Sequence, residues 1–187
     1  MHEIQKRITV LVLWICLALA CSPAFAGQGM PDLGFSLPIP PDKSHQAYLG
    51  VSSGERFTLD QVQADILVVE IFSMYCPICQ REAPRVNELY RLAQAASGKT
   101  IRLIGIGAGN SPFEVDFFRE TYGIEFPLFS DGDFHIHKKI GEKGTPFFIG
   151  LAPNRDSGKQ IFFTHSGDMG NPGDFFDRLL KAWKSQP

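Results

Sequence analysis

The sequence has few cysteines, no excess of either sign of charge and no apolar run of comfortable membrane-spanning length. Only four of its 187 residues are cysteine, which is too few for a small domain that is stabilised mainly by several disulfide bonds. The formal net charge of -2 provides no basic field for nucleic acid or an acidic membrane surface. The hydrophobic fraction of 44% is ample for a packed core, and the length suggests one domain with a short appendage.

Residues 1–26 show the three-part pattern of a secretory signal. Two basic residues precede the apolar run "ITVLVLWICLALA" (8–20), and "SPAFA" (22–26) places small residues at both positions that a signal peptidase reads. We therefore predict a signal peptide over residues 1–26, cleaved after Ala26, and a periplasmic or otherwise extracytoplasmic location. Two alternatives stay open, an uncleaved N-terminal anchor and lipidation at Cys21, which would attach the protein to a membrane.

Removal of the signal leaves Cys76 and Cys79 as the two cysteines of the exported chain. Export implies an oxidising compartment in which disulfides form. A structural disulfide gains most by closing a long loop, whereas this pair encloses only Pro77 and Ile78. The spacing therefore favours a redox function.

The rest of the chain alternates strand and helix patterns. Residues 27–46 are rich in Pro and Gly and predict an extended leader, and residues 47–187 predict a single domain. The pattern at 46–51 alternates weakly, and 54–64 predicts a strand entering a short helix. Further strands are predicted at 66–74, 100–108, 126–131, 145–154 and 158–167, and helices at 77–97, 111–123, 133–141 and 171–185. This order predicts an α/β sandwich around a mixed sheet.

Three groups of helical residues are assigned from the same periodicity. Two aromatic stripes are predicted to lie in the core, one of Phe113, Phe117 and Phe118, and one of Phe175, Phe176 and Trp183. The charged face that runs from Arg81 to Arg91 is predicted to be solvated.

The position of the cysteine pair predicts its chemistry. "ILVVEIFSM" (66–74) reads as a strand buried on both faces, so Cys76 follows a strand and begins a helix. Free backbone N–H groups and the helix dipole favour a thiolate there. Cys79, one turn later, is expected to face inward and to resolve a mixed disulfide formed on Cys76.

These residues carry a resemblance to a known family. "CPIC" stands at the strand–helix junction, Glu70 lies six residues before Cys76, Glu82 and Pro84 follow in the helix, and "GTPFFIG" (144–150) precedes the predicted hairpin. The chain resembles the thioredoxin superfamily, and in particular the exported TlpA/ResA-like thiol–disulfide oxidoreductases with a redoxin (AhpC/TSA-like) domain. The likeness extends over about residues 33–185. It departs at Tyr75, where the family usually has Trp.

The resemblance implies a fold and a set of roles. The fold would be a thioredoxin fold, a central mixed sheet flanked by helices on both faces. Cys76 would attack a disulfide, Cys79 would resolve the intermediate, and Glu70 would be a buried acid that exchanges a proton with Cys79.

Other roles in the resemblance concern the substrate. Pro146 would be a cis-proline that faces the cysteines, and the Thr145 backbone would pair with an extended substrate. Tyr75 and Pro77 would contact the partner, and Glu82 would tune the thiols. The branch mostly acts as a reductant of exported protein disulfides, with apocytochrome c as its typical client and a membrane thiol as electron donor. The cysteine pair carries the electrons, so no external cofactor and no metal are expected.

Parts of the sequence match features of three other functions. A thiol peroxidase shares the fold, and Ser73-x-x-Cys76 with Arg119 mimics part of its motif, although Val69 stands where that motif has Pro. Metal binding, including copper delivery, would use the cysteines with His135 and His137, or with His165. A nucleotide site at "GIGAGN" (105–110) is not supported, because its third Gly is replaced by Asn110.

Overall fold

The computed structural model of the protein describes residues 31–154 and 158–186. The predicted signal peptide, its alternatives and the start of the leader lie outside the described residues, as does part of the turn between the last two strands. Within the described ranges, no helix is both long and apolar enough to cross a membrane.

From residue 66 onward, the elements follow one another along the chain in the alternating order that the sequence predicts. A single 3₁₀ turn, Leu59–Gln61, follows the second strand. The strands and helices are β1 (Ser36–Pro38), α1 (Lys43–Leu49), β2 (Arg56–Thr58), β3 (Ile66–Phe72), α2 (Pro77–Ala95), β4 (Ile101–Ala108), α3 (Pro112–Tyr122), β5 (Leu128–Asp131), α4 (His135–Lys139), β6 (Phe147–Asn154), β7 (Gly158–Ser166) and α5 (Pro172–Lys184).

Five strands form one mixed sheet in the order β5-β4-β3-β6-β7. β3, β4 and β5 are parallel, because α2 and α3 carry the chain back between them. β6 runs antiparallel to both β3 and β7. Every residue of β3 is buried, as its continuous apolar sequence predicts for a central strand with both faces covered.

Helices cover both faces of the sheet, which confirms the predicted architecture. On one face, α2, α3 and α5 pack their apolar sides, with Leu89, Phe118 and Leu179 among the buried residues. On the other face, α1, α4 and the small β1–β2 ribbon form a second layer around Phe57 and Ile140. The central strands therefore have no solvent-exposed face, and the carboxyl end of β3 is available for a site.

The first helix was not predicted. Lys43–Leu49 is helical where the sequence suggested an extended leader followed by a weak strand. Asp42 caps it by accepting a hydrogen bond from the Ser44 N–H at 2.7 Å, and Gly50, with φ 70°, ends it in the left-handed conformation. The prediction of an extended leader over 27–46 is thus wrong for its last four residues.

The predicted aromatic core is only partly correct. Phe118 is buried, but Phe113 and Phe117 are 77% and 52% exposed. Ser111 caps α3, and the helix turns Val115 and Phe118 toward the sheet, so that the two other phenylalanines face solvent. In the second stripe Phe175 is buried, as expected, while Phe176 and Trp183 are only partly buried.

Candidate active site

Cys76 and Cys79 lie at the junction between β3 and α2, where the sequence places them. Cys76 is the N-cap of α2, and its Sγ accepts a hydrogen bond from the Cys79 N–H at 3.4 Å. Pro77 is the first helical residue and is exposed. Cys76 is partly exposed and Cys79 is fully buried, both as free thiols. One sulfur can therefore meet a partner while the other stays covered.

The surroundings of Cys76 favour its thiolate. Partial burial acts to raise the pKa of this thiol, but hydrogen bonding with the Thr145 side chain and with the Cys79 and Ile78 N–H groups outweighs it, so the pKa lies below the ordinary value. The end of a helix supplies such N–H groups because the first turn has no partners within the helix. The nucleophilic thiolate therefore forms at a lower pH than it does for an ordinary cysteine.

The loop before β6 faces this sulfur. The Thr145–Pro146 peptide bond is cis, as the resemblance implies. In its protonated form Cys76 donates to the Thr145 carbonyl, with Sγ and O 3.2 Å apart. The Gly167 N–H donates to the Pro146 carbonyl at 2.8 Å, which ties the loop to the end of β7. The predicted substrate-loop residues therefore lie directly beside the attacking thiol.

Glu70 and Cys79 form the buried side of the site. Burial, followed by the charge of Glu82, raises the pKa of Glu70 to about 8. Burial also raises the pKa of Cys79, and the nearby charge of Glu70 adds to the effect. The charge of Glu70 disfavours the Cys79 thiolate, while burial, Glu82 and Cys76 disfavour the Glu70 carboxylate, so both groups favour their protonated forms.

Glu82 is buried, which the solvated helix face predicted for Arg81–Arg91 did not anticipate. Its carboxylate accepts from Arg85 Nη1 at 2.6 Å and from the Met169 N–H at 2.9 Å. Arg85 also reaches Asp168 at 3.2 Å. No sequence pattern predicts the Arg85–Asp168 ion pair, because it joins α2 to a loop that lies 83 residues further along the chain.

Tyr75 stands next to the attacking cysteine and is 65% exposed. Its hydroxyl donates to the Glu114 carboxylate on α3. The other carboxylate oxygen of Glu114 accepts from the Ser111 N–H at 2.7 Å, as part of the capping box that begins the helix. The ring is therefore held at the junction by α3, a contact that the sequence does not predict.

Asn110 is a further positioning residue that sequence reasoning missed. Its Oδ1 accepts from the Met74 N–H at 2.9 Å, and its carbonyl accepts from Ser130 Oγ at 2.6 Å. The residue thereby joins the carboxyl ends of β3, β4 and β5. A usable signal existed, because parallel neighbours end at the same edge of a sheet and the polar residue after β4 must then lie near the cysteine loop.

A cavity of ≈ 310 Å³ opens beside these groups. Tyr75 and Thr145 line it on the side of the cysteines, and Phe134, His137 and Lys143 line it elsewhere. It offers a partner segment space next to the attacking sulfur.

The residues proposed for the other functions are arranged as follows. His137 Nε2 contacts the Lys143 carbonyl at 2.7 Å, His165 Nε2 contacts the Asp168 carbonyl at 2.8 Å, and His135 is exposed. Arg119 pairs with Asp116 on its own helix. In the part of the chain that the structure covers, no group of three or more His, Cys, Asp and Glu side chains is arranged to hold a metal ion.

The buried acid makes stability depend on pH. Burial raises the pKa of Glu70 from 4.5 to about 8. Below the lower value the carboxyl is protonated in both states and contributes nothing. Between the two values the unfolded chain releases a proton that the folded protein keeps, so Glu70 lowers the free energy of unfolding by up to about 1.4 kcal/mol per pH unit.

We expect Glu70→Gln to remove this slope, because the amide does not ionise. Urea denaturation of the wild type and the variant at several pH values from 5 to 8 measures it. Glu88→Gln, an exposed change on α2, is the control and should keep the wild-type slope. Parallel curves for Glu70→Gln and the wild type would contradict the assignment.

The sheet order, the cysteine pair at a strand–helix junction and the facing cis-proline define a thioredoxin-fold protein. The sequence profile of the AhpC/TSA family matches residues 27–158. The chain therefore belongs to the AhpC/TSA family.

Individual relatives agree with this placement. The thiol-disulfide oxidoreductase ResA of Halalkalibacterium halodurans is 24% identical over 116 residues, which are 62% of each chain. The ResA of Bacillus subtilis is 22% identical over 136 residues, 69% of this chain and 70% of that one. The chain thus spans less than two thirds of the first of these relatives.

Solved structures show the same fold. StoA from Bacillus subtilis matches with a TM-score of 0.56 and 19% identity, covering 83% of this chain and 100% of that one. A secreted Mycobacterium tuberculosis disulfide oxidoreductase homologous to E. coli DsbE matches with a TM-score of 0.57 and 18% identity, covering 80% and 97%.

Proposed function

We propose that the protein is a thiol–disulfide oxidoreductase that exchanges electrons with disulfides of exported proteins. The observation that carries this proposal is the contrast between two neighbouring thiols. Cys76 is accessible, lies beside the cis-proline loop and has a lowered pKa, whereas Cys79 is buried and has a raised pKa. Such a pair separates attack from resolution.

The reaction would proceed in two exchanges. The Cys76 thiolate attacks one sulfur of the client disulfide, a Cys76–client disulfide forms, and the other client sulfur leaves as a thiolate that takes up a proton. Cys79 then passes its proton to the Glu70 carboxylate and attacks Cys76 Sγ. The second client thiolate leaves, so the client gains two electrons and the protein retains a Cys76–Cys79 disulfide.

The direction and location belong to the same proposal. The ResA relatives are thiol-disulfide oxidoreductases, and one structural neighbour is a secreted protein. With the predicted signal peptide, these relatives support an extracytoplasmic oxidoreductase, and the family resemblance adds that it acts as a reductant recharged by a membrane thiol donor. Apocytochrome c, the typical client of the branch, is the first candidate substrate, and the redox-active disulfide would need no external cofactor.

We expect Cys79→Ala to accumulate mixed disulfides with client proteins, because the intermediate on Cys76 can no longer be resolved. The variant is expressed in the exporting organism, thiols are blocked by acid and alkylation, and adducts are counted by non-reducing electrophoresis and mass spectrometry. The Cys76→Ala/Cys79→Ala double variant is the control and should trap nothing. If Cys79→Ala accumulates no partner, the exchange function is wrong.

A peroxide assay distinguishes the proposed thiol–disulfide oxidoreductase from a thiol peroxidase. A thiol–disulfide oxidoreductase should reduce a protein disulfide much faster than hydrogen peroxide at equal concentrations. The reverse preference would favour the thiol peroxidase hypothesis.

A further inference from the structure

The outward side of α3 carries an unusual amount of exposed aromatic surface. Phe113 and Phe117 are 77% and 52% exposed. With Asp116 and Glu120 they form what we call the α3 outer face. The four positions are spaced i, i+3, i+4 and i+7, so they line one side of the helix. All four are exposed, while Val115 and Phe118 on the other side are buried.

Exposed phenylalanines do not stabilise this helix against its own sheet. Contiguous apolar surface on a soluble protein is characteristic of a binding site. Phe113 and Phe117 are two of only four large hydrophobic side chains that are exposed among the described residues. A third is Tyr75, which adjoins the attacking cysteine. Three of the four therefore belong to α3 or to a residue that is hydrogen-bonded to it.

The α3 outer face is continuous with the active site. Glu114 follows Phe113 in the helix, and its carboxylate accepts the hydrogen bond from the Tyr75 hydroxyl. Tyr75 in turn precedes Cys76. Through Tyr75 and Glu114, α3 thus adjoins Cys76, and we expect residues that flank a disulfide bound there to reach Phe113 and Phe117.

The charged side chains of α3 favour a partner of positive charge. The helix has three carboxylates, Glu114, Asp116 and Glu120, and a single guanidinium, Arg119. Arg119 already pairs with Asp116. The side chains of α3 itself therefore carry net negative charge, which attracts cationic side chains and repels anionic ones.

We propose that the α3 outer face docks the segment of the client that flanks its disulfide, and that this segment has apolar side chains accompanied by Lys or Arg. The inference rests on the proposed exchange function and adds to it the recognition surface and the chemistry of the partner. Aromatic side chains that pack into such a contact commonly account for most of its binding energy.

The test measures selectivity with defined substrates. The reduced full chain is mixed with glutathione disulfide and with three cystine peptides of one length, whose flanking residues are Phe and Arg, Ser and Arg, or Phe and Glu. The initial rates of disulfide reduction give a ratio for each peptide relative to glutathione disulfide. For the wild type the Phe and Arg peptide should give the highest ratio.

Two variants address the two parts of the proposal. Phe113→Ser/Phe117→Ser should lower the ratio for the Phe and Arg peptide by about tenfold, since two aromatic contacts are lost. Asp116→Asn/Glu120→Gln should reduce the preference for the Arg peptide over the Glu peptide, and added salt should do the same in the wild type. Asp177→Ser/Lys181→Ser on α5 is the matched control with two exposed residues, and should keep the wild-type ratios.

The outcomes are distinguishable. If the wild type reduces glutathione disulfide but the ratios do not change in Phe113→Ser/Phe117→Ser, the docking inference is overturned and the exchange function stands. If the wild type reduces no disulfide at all, both are overturned. If sedimentation shows that the wild type dimerises at assay concentration and Phe113→Ser/Phe117→Ser does not, the face binds a second copy and the inference is again overturned.

Discussion

Replacing Cys76 by alanine is expected to abolish catalysed disulfide exchange. Cys76 is the partly exposed sulfur of the pair, its pKa is lowered although burial opposes this, and it contacts the Thr145 loop at which a substrate would bind. Cys79 cannot replace it, because it is fully buried and burial raises its pKa. Among the described residues, no other thiol then remains to attack a client disulfide.

The measurement is a comparison of multiple and single turnovers. Cys76→Ala should reduce a protein disulfide no faster than buffer thiols do, in both kinds of experiment. Cys79→Ala should retain the first attack and release one client thiol for each protein molecule. Retention of multiple turnovers by Cys76→Ala would show that another group is the nucleophile.

The second large effect is expected at Glu70. In the proposed mechanism the Glu70 carboxylate is the buried base that accepts the Cys79 proton, and burial raises its pKa to about 8, close to neutral pH. Glu70→Gln removes the base while it keeps the shape of the side chain. Because a positioned general base commonly contributes at least about a hundredfold, we expect resolution of the mixed disulfide to slow by about that factor.

Rapid mixing with excess disulfide separates resolution from the first attack. In the wild type the resolution rate should rise as pH increases through about 8. In Glu70→Gln that rise should disappear, while the attack by Cys76 changes less because hydrogen bonds with Thr145, Cys79 and Ile78 lower the pKa of that thiol. A variant that keeps the wild-type profile would assign the proton transfer to another group.

Local patterns predicted much of the fold. The continuous apolar run of β3 required a strand covered on both faces, and the change of period after Cys76 located α2 within two residues of its observed end. The cis geometry of Pro146 was different, since X-Pro bonds are cis in only about 5% of cases in folded proteins. That prediction depended on the family resemblance, and the structure confirms it.

Errors arose where distant contacts decide the outcome. Glu82 looks like a surface residue of α2, but the Met169 N–H and Arg85 satisfy its charge in the interior. Phe113 and Phe117 fit a helical stripe, yet the sheet receives the neighbouring side of α3. Sequence spacing defines the sides of a helix and cannot by itself identify the one that packs.

The loop that follows β7 has a mechanical consequence for any substrate. Gly167 of this loop is hydrogen-bonded to Pro146, and Met169 and Asp168 contact Glu82 and Arg85 of α2. These contacts connect the two sides of the groove around Cys76, so we expect the groove to change little in width. The polypeptide that enters must then adjust its own conformation to the groove. A chain that has not finished folding should therefore be accepted more readily than a rigid native domain.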